Sequence, residues 1–332
     1  MSGKAYPARG TPAAVPARWR DYLRMARLDH MTKHVFILPG LVLAWMLREP
    51  PLEGAAWRLA LGLTSAVLVA SANYILNEWL DREFDAFHPD KSGRPAVTNA
   101  LAPGPVWSAY ASCAALGVLL ALQVGPLFFA TSVLFWISGV VYNVRPARTK
   151  DLPYLDVLSE SLNNPIRLML GWAMLEEATV APASLLLAYW MGGAFLMGAK
   201  RLSEYREIAG GPGLSVLHRY RASFRHYTEE RLLVSCFVYA LLSTLLLGFF
   251  LVKYRIEYLV ACPFVIALFA HYLALSLRSG SVAQKPEKLF REKRLMLLSG
   301  MTVLALVGLS FIHMPRLQGL TEPHFIRLEL HR

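Results

Sequence analysis

Charge is scarce in this sequence. Asp, Glu, Lys and Arg make up 17% of its 332 residues, against about 25% in an ordinary soluble domain. Cysteine is scarcer still. Cys113, Cys236 and Cys262 stand singly, with no spacing that would ligate a metal and no disulfide framework, so they read as inert packing residues. No nucleic-acid motif accompanies the net charge of +11, and nucleic acid is not an expected partner. The N-terminus shows no compact apolar core before a small-residue cleavage site, so no signal peptide is expected.

What the chain has in abundance is long apolar runs. With 55% hydrophobic residues, it divides into about nine spans: 34–48, 56–79, 104–123, 126–143, 155–175, 180–199, 231–252, 256–277 and 295–313. Each is near the ~20 residues that cross a bilayer core. The expected fold is an all-α membrane protein, a bundle of about nine transmembrane helices around a cavity open to the cytoplasm. Lys and Arg crowd the N-terminal segment and the loop 200–231, while the loops near 124 and 177 have none. That bias sets the N-terminus in the cytoplasm, consistent with the inner membrane. The domain reading is a disordered tail over 1–17, a transmembrane domain over 18–313 and a C-terminal tail over 314–332. The domain opens with an interfacial amphipathic helix over 18–30, setting Trp19, Tyr22, Leu23 and Leu28 against Arg20, Arg24 and Arg27.

The polar residues gather at helix ends. In "SANYILNEWLDREFD", Asn73, Asn77, Asp81 and Asp85 recur every four residues and share one helix face. Two carboxylates and an amide one turn apart suit Mg²⁺, which keeps several waters and is completed by substrate phosphates. A helix end emerging into water explains the same acids more plainly. His88, Lys91 and Arg94 follow at once, either as positive-inside flanking or as phosphate ligands beside the metal. Span 4 exits through Tyr142 into a loop with Arg145, Arg148 and Lys150. Span 5 carries Asp156, Glu160, Asn163, Asn164 and Arg167 as one stripe, with Pro165 as a kink. Such groups inside a membrane helix face a partner or a wet cavity, though a structural ladder would also account for them. Span 6 ends with Lys200, Arg201 and Glu204. Segment 214–231 mixes bases with Tyr220, Phe224 and Tyr227 and reads as an interfacial helix that serves as a lid.

Nine spans with N-x-x-x-D-x-x-x-D after the second, here Asn77, Asp81 and Asp85, resemble the UbiA superfamily of intramembrane prenyltransferases. "HPDKSGRP" is similar to the H-P-x-K-x-x-R-P of its polyprenyl-phosphate phosphoribosyltransferase branch, picking out His88, Pro89, Lys91, Arg94 and Pro95. K-R-x-x-E at Lys200, Arg201 and Glu204 stands where other members have a second Asp-rich motif. "RASFRHYT", Arg167 with Gly171, and Lys33 also match the branch, while Glu78 and Asn143 depart from it. The resemblance implies catalytic residues Asn77, Asp81 and Asp85, with Mg²⁺ on Asp81 and Asp85. It implies substrate contacts at Lys33, Lys91, Arg94, Tyr142, Lys150, Glu160, Arg167, Lys200, Arg201 and Glu204. The implied substrates are phosphoribosyl diphosphate and a polyprenyl phosphate, among membrane lipids and with homo-oligomers allowed. Two alternatives stand beside it: transfer of a prenyl chain to an aromatic or other acceptor, and a transporter or lipid-binding protein.

Overall fold

The computed structural model describes residues 15–88, 91–278, 280, 289 and 291–319. Pro89, most of the N-terminal tail and the end of the C-terminal tail lie outside them. Among the described residues the regular structure is all-helical apart from a two-residue parallel pairing of β1 (Val15–Pro16) with β2 (Asn99–Ala100). In chain order the helices are α1 (Trp19–Met25), α2 (Leu38–Arg48), α3 (Ala55–Asp85), α4 (Pro95–Thr98), α5 (Pro103–Val124), α6 (Pro126–Asn143), α7 (Leu155–Ser161) and α8 (Asn163–Leu175). They continue as α9 (Ala183–Gly210), α10 (Leu214–Tyr220), α11 (Glu229–Tyr254), α12 (Cys262–Ser276), α13 (Lys293–Ser310) and α14 (Pro315–Gln318).

Six segments among the described residues are long and apolar enough to cross a membrane: α3, α5, α6, α11, α13 and the run Ile256–Ser276. The other three expected spans are built differently. The first is the 11-residue α2, preceded by ten residues of 3₁₀ helix over Leu28–Ile37. The fifth is divided at Leu162 into α7 and α8. Pro165 has no N–H to offer Ser161, so the hydrogen-bond ladder is interrupted within one turn of that division. The sixth is the 28-residue α9, whose last turns carry the Lys200–Glu204 cluster.

Two compact units result. The first holds Met1–Ala181 with Glu207–Thr228, and the second Pro182–Arg206 with Glu229–Arg332. In the first, α3 packs along α5 and α6, and α2 packs along α8. Close approach is bought with glycine. A Cβ on Gly139 of α6 would stand 2.1 Å from Asn73 Oδ1, and the Asn73 amide donates instead to the Phe135 carbonyl at 2.9 Å. The short α1 docks through Met25 onto Ile75, Ala96, Leu101 and Val106. Trp19 and Leu23 stay exposed, and the helix expected over 18–30 ends at Met25, with Leu28 opening a 3₁₀ segment. In the second unit α12 packs on α13, and Cys236 of α11 sits against Gly198 of α9. All three cysteines are free thiols.

Candidate active site

The C-terminal turns of α3 carry the acids, and four residues of helix rise separate Asp81 from Asp85 by about 6 Å along the axis. Both carboxylates are buried. Asp81 Oδ1 accepts from Arg148 Nη2 at 2.9 Å and lies 2.5 Å from Lys150 Nζ. Its Oδ2 accepts from Asn77 Nδ2 at 3.1 Å. Asp85 pairs with Arg94. Asn77 also donates to Asn143 Oδ1 at 2.7 Å, and Lys150 donates to the same oxygen at 2.7 Å. Asn143 therefore fastens α3, the end of α6 and the 3₁₀ turn Thr149–Asp151 at one point. Burial pulls the Lys150 ammonium down to about 8, with Asp81 opposing and Arg148 reinforcing that shift.

A second knot adjoins it within the same unit. Tyr142 donates to Glu160 Oε2 at 2.9 Å and accepts from Arg221 Nη1 at 3.1 Å. Asp156 is fully buried and accepts from Tyr227 at 2.6 Å and Ser223 at 3.0 Å, with Arg221 3.7 Å away. Burial weakens the Arg221 charge, yet Tyr142, Tyr220, Asp156 and Glu160 together hold its pKa above the usual value. Lys91 hydrogen-bonds Tyr220, whose ring meets His88 edge-on at 4.4 Å. Segment 214–227 is thus fixed to the acidic end of α3 on one side and to α7 on the other.

The sequence-derived residues Asn77, Asp81, Asp85, Lys91, Arg94, Tyr142, Lys150 and Glu160 all enter these two knots. Lys33 Nζ lies 5.4 Å from the centre of the Tyr74 ring, and the Arg167 guanidinium 5.0 Å from that of Phe135. In the second unit, Arg201 donates to Glu204 at 2.8 Å within α9, one turn from Lys200. Sequence reasoning passed over Asn143, Arg148, Asp156, Arg221 and Tyr227 as site residues. A basic loop and a polar helix stripe were visible, but their partners lie far away along the chain. Asn73, on the same face as the acids, serves helix packing.

The donor set suits a hard divalent cation. Among the described residues no group of three or more His, Cys, Asp and Glu side chains could enclose a metal. A cation held by Asp81, Asp85 and the Asn77 amide would take its other ligands from water and phosphate. That division of ligands is the habit of Mg²⁺.

The sequence profile of the UbiA prenyltransferase family matches residues 35–308. Similar curated proteins include the protoheme IX farnesyltransferase of Alkalihalophilus pseudofirmus, 26% identical over 230 residues, which cover 67% of this chain and 72% of that one. Another is the 4-hydroxybenzoate octaprenyltransferase of Cupriavidus necator, 31% identical over 127 residues, covering 38% of this chain and 42% of that one. Among solved structures, a UbiA homologue from Archaeoglobus fulgidus bound to GPP and Mg²⁺ aligns over 88% of this chain and all of its own. Its TM-score is 0.64 at 23% identity, a likeness of fold. This chain belongs to the UbiA prenyltransferase family of multi-pass, all-helical membrane enzymes.

Proposed function

We propose that this enzyme transfers a 5-phosphoribosyl group from phosphoribosyl diphosphate to a polyprenyl phosphate at the cytoplasmic face of the inner membrane. One observation carries the reading. The carboxylates of Asp81 and Asp85 are ringed by bases from three chain segments: Arg94, Arg148 and Lys150, with Lys91 and Arg221 in the adjoining knot. Two anionic reactants repel each other, and a site that hosts both needs more positive charge than a metal alone supplies. A neutral aromatic acceptor makes no such demand.

In this reaction an oxygen of the lipid phosphate forms a bond to ribose C1. The bond from C1 to the diphosphate oxygen breaks, and diphosphate leaves with the electron pair. The nucleophile is already an anion at neutral pH, so no general base is required. Asp81 and Asp85 would hold Mg²⁺, which when bound supplies Lewis acidity to the leaving diphosphate. Arg94, Arg148 and Lys150 now neutralise those carboxylates and are in place to receive phosphate oxygens. Asn77 orients Asp81. Lys200, Arg201 and Glu204 join the proposal through their sequence motif, as further anion ligands and their orienting acid.

The names of the curated relatives favour a second reading, in which a prenyl chain moves from its diphosphate to another acceptor. One experiment separates the two. Membranes containing the protein are supplied with labelled phosphoribosyl diphosphate and polyprenyl phosphate, or with polyprenyl diphosphate and a panel of aromatic acceptors. Mass spectrometry of the lipid fraction should find a phosphoribosylated lipid only in the first mixture. A prenylated aromatic product without it would reject the proposal.

A further inference from the structure

Glu78 stands in the chain between Asn77 and Asp81, yet its hydrogen bond goes to α4. It is buried and accepts the Ala96 N–H at 3.3 Å. The reason lies in how α4 begins. Arg94 is its N-cap but gives no side-chain cap, and Pro95 at the start of the helix has no N–H. The first free donor is therefore the Ala96 N–H, and Pro95 and Ala96 are both buried. A donor left unmet there is costly, and Glu78 meets it. Ile75, one turn before Glu78, shares an apolar cluster with Ala96. Asp85 follows Glu78 by seven residues, on nearly the same face and about 10 Å along the axis, and pairs with Arg94. Among the described residues, α4 and its cap are thus joined to α3 by two polar contacts. Arg94 reaches Asp85 with its side chain, and Ala96 reaches Glu78 with its backbone.

We infer that Glu78 is the positioning residue for Arg94, holding the start of α4 on α3 so that Arg94 stays at the anion site when its bond to Asp85 is given up. The two contacts differ in what they survive. Asp85 would hold Mg²⁺ in the proposed reaction, and a carboxylate that coordinates a cation is a poorer partner for a guanidinium. Arg94 is then free to meet a phosphate oxygen, and an arginine on a loosened backbone would lose conformational entropy in doing so. The Ala96–Glu78 bond involves neither cation nor anion, and that exchange leaves it intact. The geometry also sets the residue type. Position 78 needs an acceptor oxygen at the end of a long side chain. The carboxamide of Gln supplies it without charge, whereas Asp keeps the charge but ends one methylene short of a contact already 3.3 Å long. A metal ligand at position 78 would show the opposite preference. The inference rests on the proposed role of Arg94 as an anion ligand, and not on which group the diphosphate carries.

The test is calorimetric titration of the full chain in detergent with Mg²⁺ and inorganic diphosphate, the anion common to phosphoribosyl and prenyl donors. Arg94→Gln should weaken binding about tenfold or more, the scale of a lost charged hydrogen bond. Glu78→Asp should weaken it to a similar extent, and Glu78→Gln should stay within about threefold. The Glu78→Asp/Arg94→Gln double variant should bind within about twofold of Arg94→Gln alone, because residues that act through one contact do not add. A Glu78 that serves only the fold would give additive losses. Hydrogen exchange in the unaltered chain supplies a second measurement: the Ala96 amide should stay protected in EDTA and with Mg²⁺–diphosphate bound. Retained affinity in Glu78→Asp with loss in Glu78→Gln would overturn the assignment. Additive losses, or exposure of the Ala96 amide on binding, would overturn it as well, as would an Arg94→Gln variant that binds like the unaltered chain. Phosphoribosyl transfer that is indifferent to Glu78→Asp would sink this inference alone. The predicted binding pattern without phosphoribosyl transfer would sink the proposed reaction alone.

Discussion

Tyr227 donates its phenolic hydrogen to Asp156 at 2.6 Å across 71 residues of chain, and the same hydroxyl accepts the Tyr154 backbone N–H at 2.6 Å. One oxygen thus joins the segment 214–227 to the start of α7. Asp156 in turn holds Ser223 and stands beside Arg221, which reaches the Tyr142–Glu160 pair.

Removing that hydroxyl should loosen the segment without touching the α3 carboxylates. Tyr227→Phe leaves a buried carboxylate short of a donor and an amide short of its acceptor, about 1–3 kcal/mol of local stability. Asp156→Asn should cost more, because Arg221 then keeps a buried charge without one of its counter-charges. The measurement is hydrogen exchange and limited proteolysis across 207–228. Faster exchange is expected there, with α5 unchanged. Uniform protection in both variants would show that the knot does not hold the segment.

Asp85→Asn is the cleanest test of the metal assignment. Its partner Arg94 is partly exposed and can turn to solvent, whereas Asp81 is shared by the buried Arg148 and Lys150. Asp85→Asn should lower turnover by roughly 10²–10³-fold with little change in unfolding temperature. Asp81→Asn should lower both, since Lys150 loses its counter-charge and Arg148 keeps only Asp151. Diphosphate release, followed with and without EDTA, reads the first effect, and thermal unfolding reads the second. Full turnover in the Asp81→Asn/Asp85→Asn double variant would reject the assignment.

Asn143 is a quieter member of the site. Its Oδ1 takes hydrogens from Asn77 and Lys150, and its Nδ2 donates to the Gly139 carbonyl at 2.8 Å. Asn143→Leu removes all three bonds inside a buried cluster and should cost about 1–3 kcal/mol for each polar group left unsatisfied. Asn143→Asp supplies a charge to Lys150 but gives up the bond to Gly139. It should retain more stability than Asn143→Leu, as compared by thermal unfolding of the two purified variants.

How much of this was legible beforehand follows from the distance over which each interaction acts. Asn77, Asp81 and Asp85 are one helix turn apart, so spacing alone puts them on one face. Basic residues after the acids were equally plain. The pairing of Asp81 with Arg148, or of Asp156 with Tyr227, joins positions 67 and 71 residues apart, and no local pattern encodes which loop returns to which helix. The apolar runs gave the membrane class, yet 3₁₀ winding over Leu28–Ile37 and the break at Leu162 are tertiary outcomes. Asn73 shows the converse. It keeps the site's periodicity but meets Gly139 and Phe135, because α6 crosses there at a contact that only glycine admits.

The crossing of α2 and α8 carries the last prediction. A Cβ on Gly40 would stand 1.9 Å from the Leu168 carbonyl oxygen, and one on Gly171 would stand 2.1 Å from the Ile37 carbonyl oxygen. Both obstacles are backbone atoms of the facing segment, so no side-chain rotation can relieve them, and the two segments must separate. Overpacking of this kind costs about 1–3 kcal/mol. Gly171→Ala should therefore lower the unfolding temperature. Gly248→Ala is the control, since a methyl group there meets nothing within 4 Å. It should leave that temperature unchanged. An unfolding temperature unchanged by Gly171→Ala would show that this crossing does not constrain the fold.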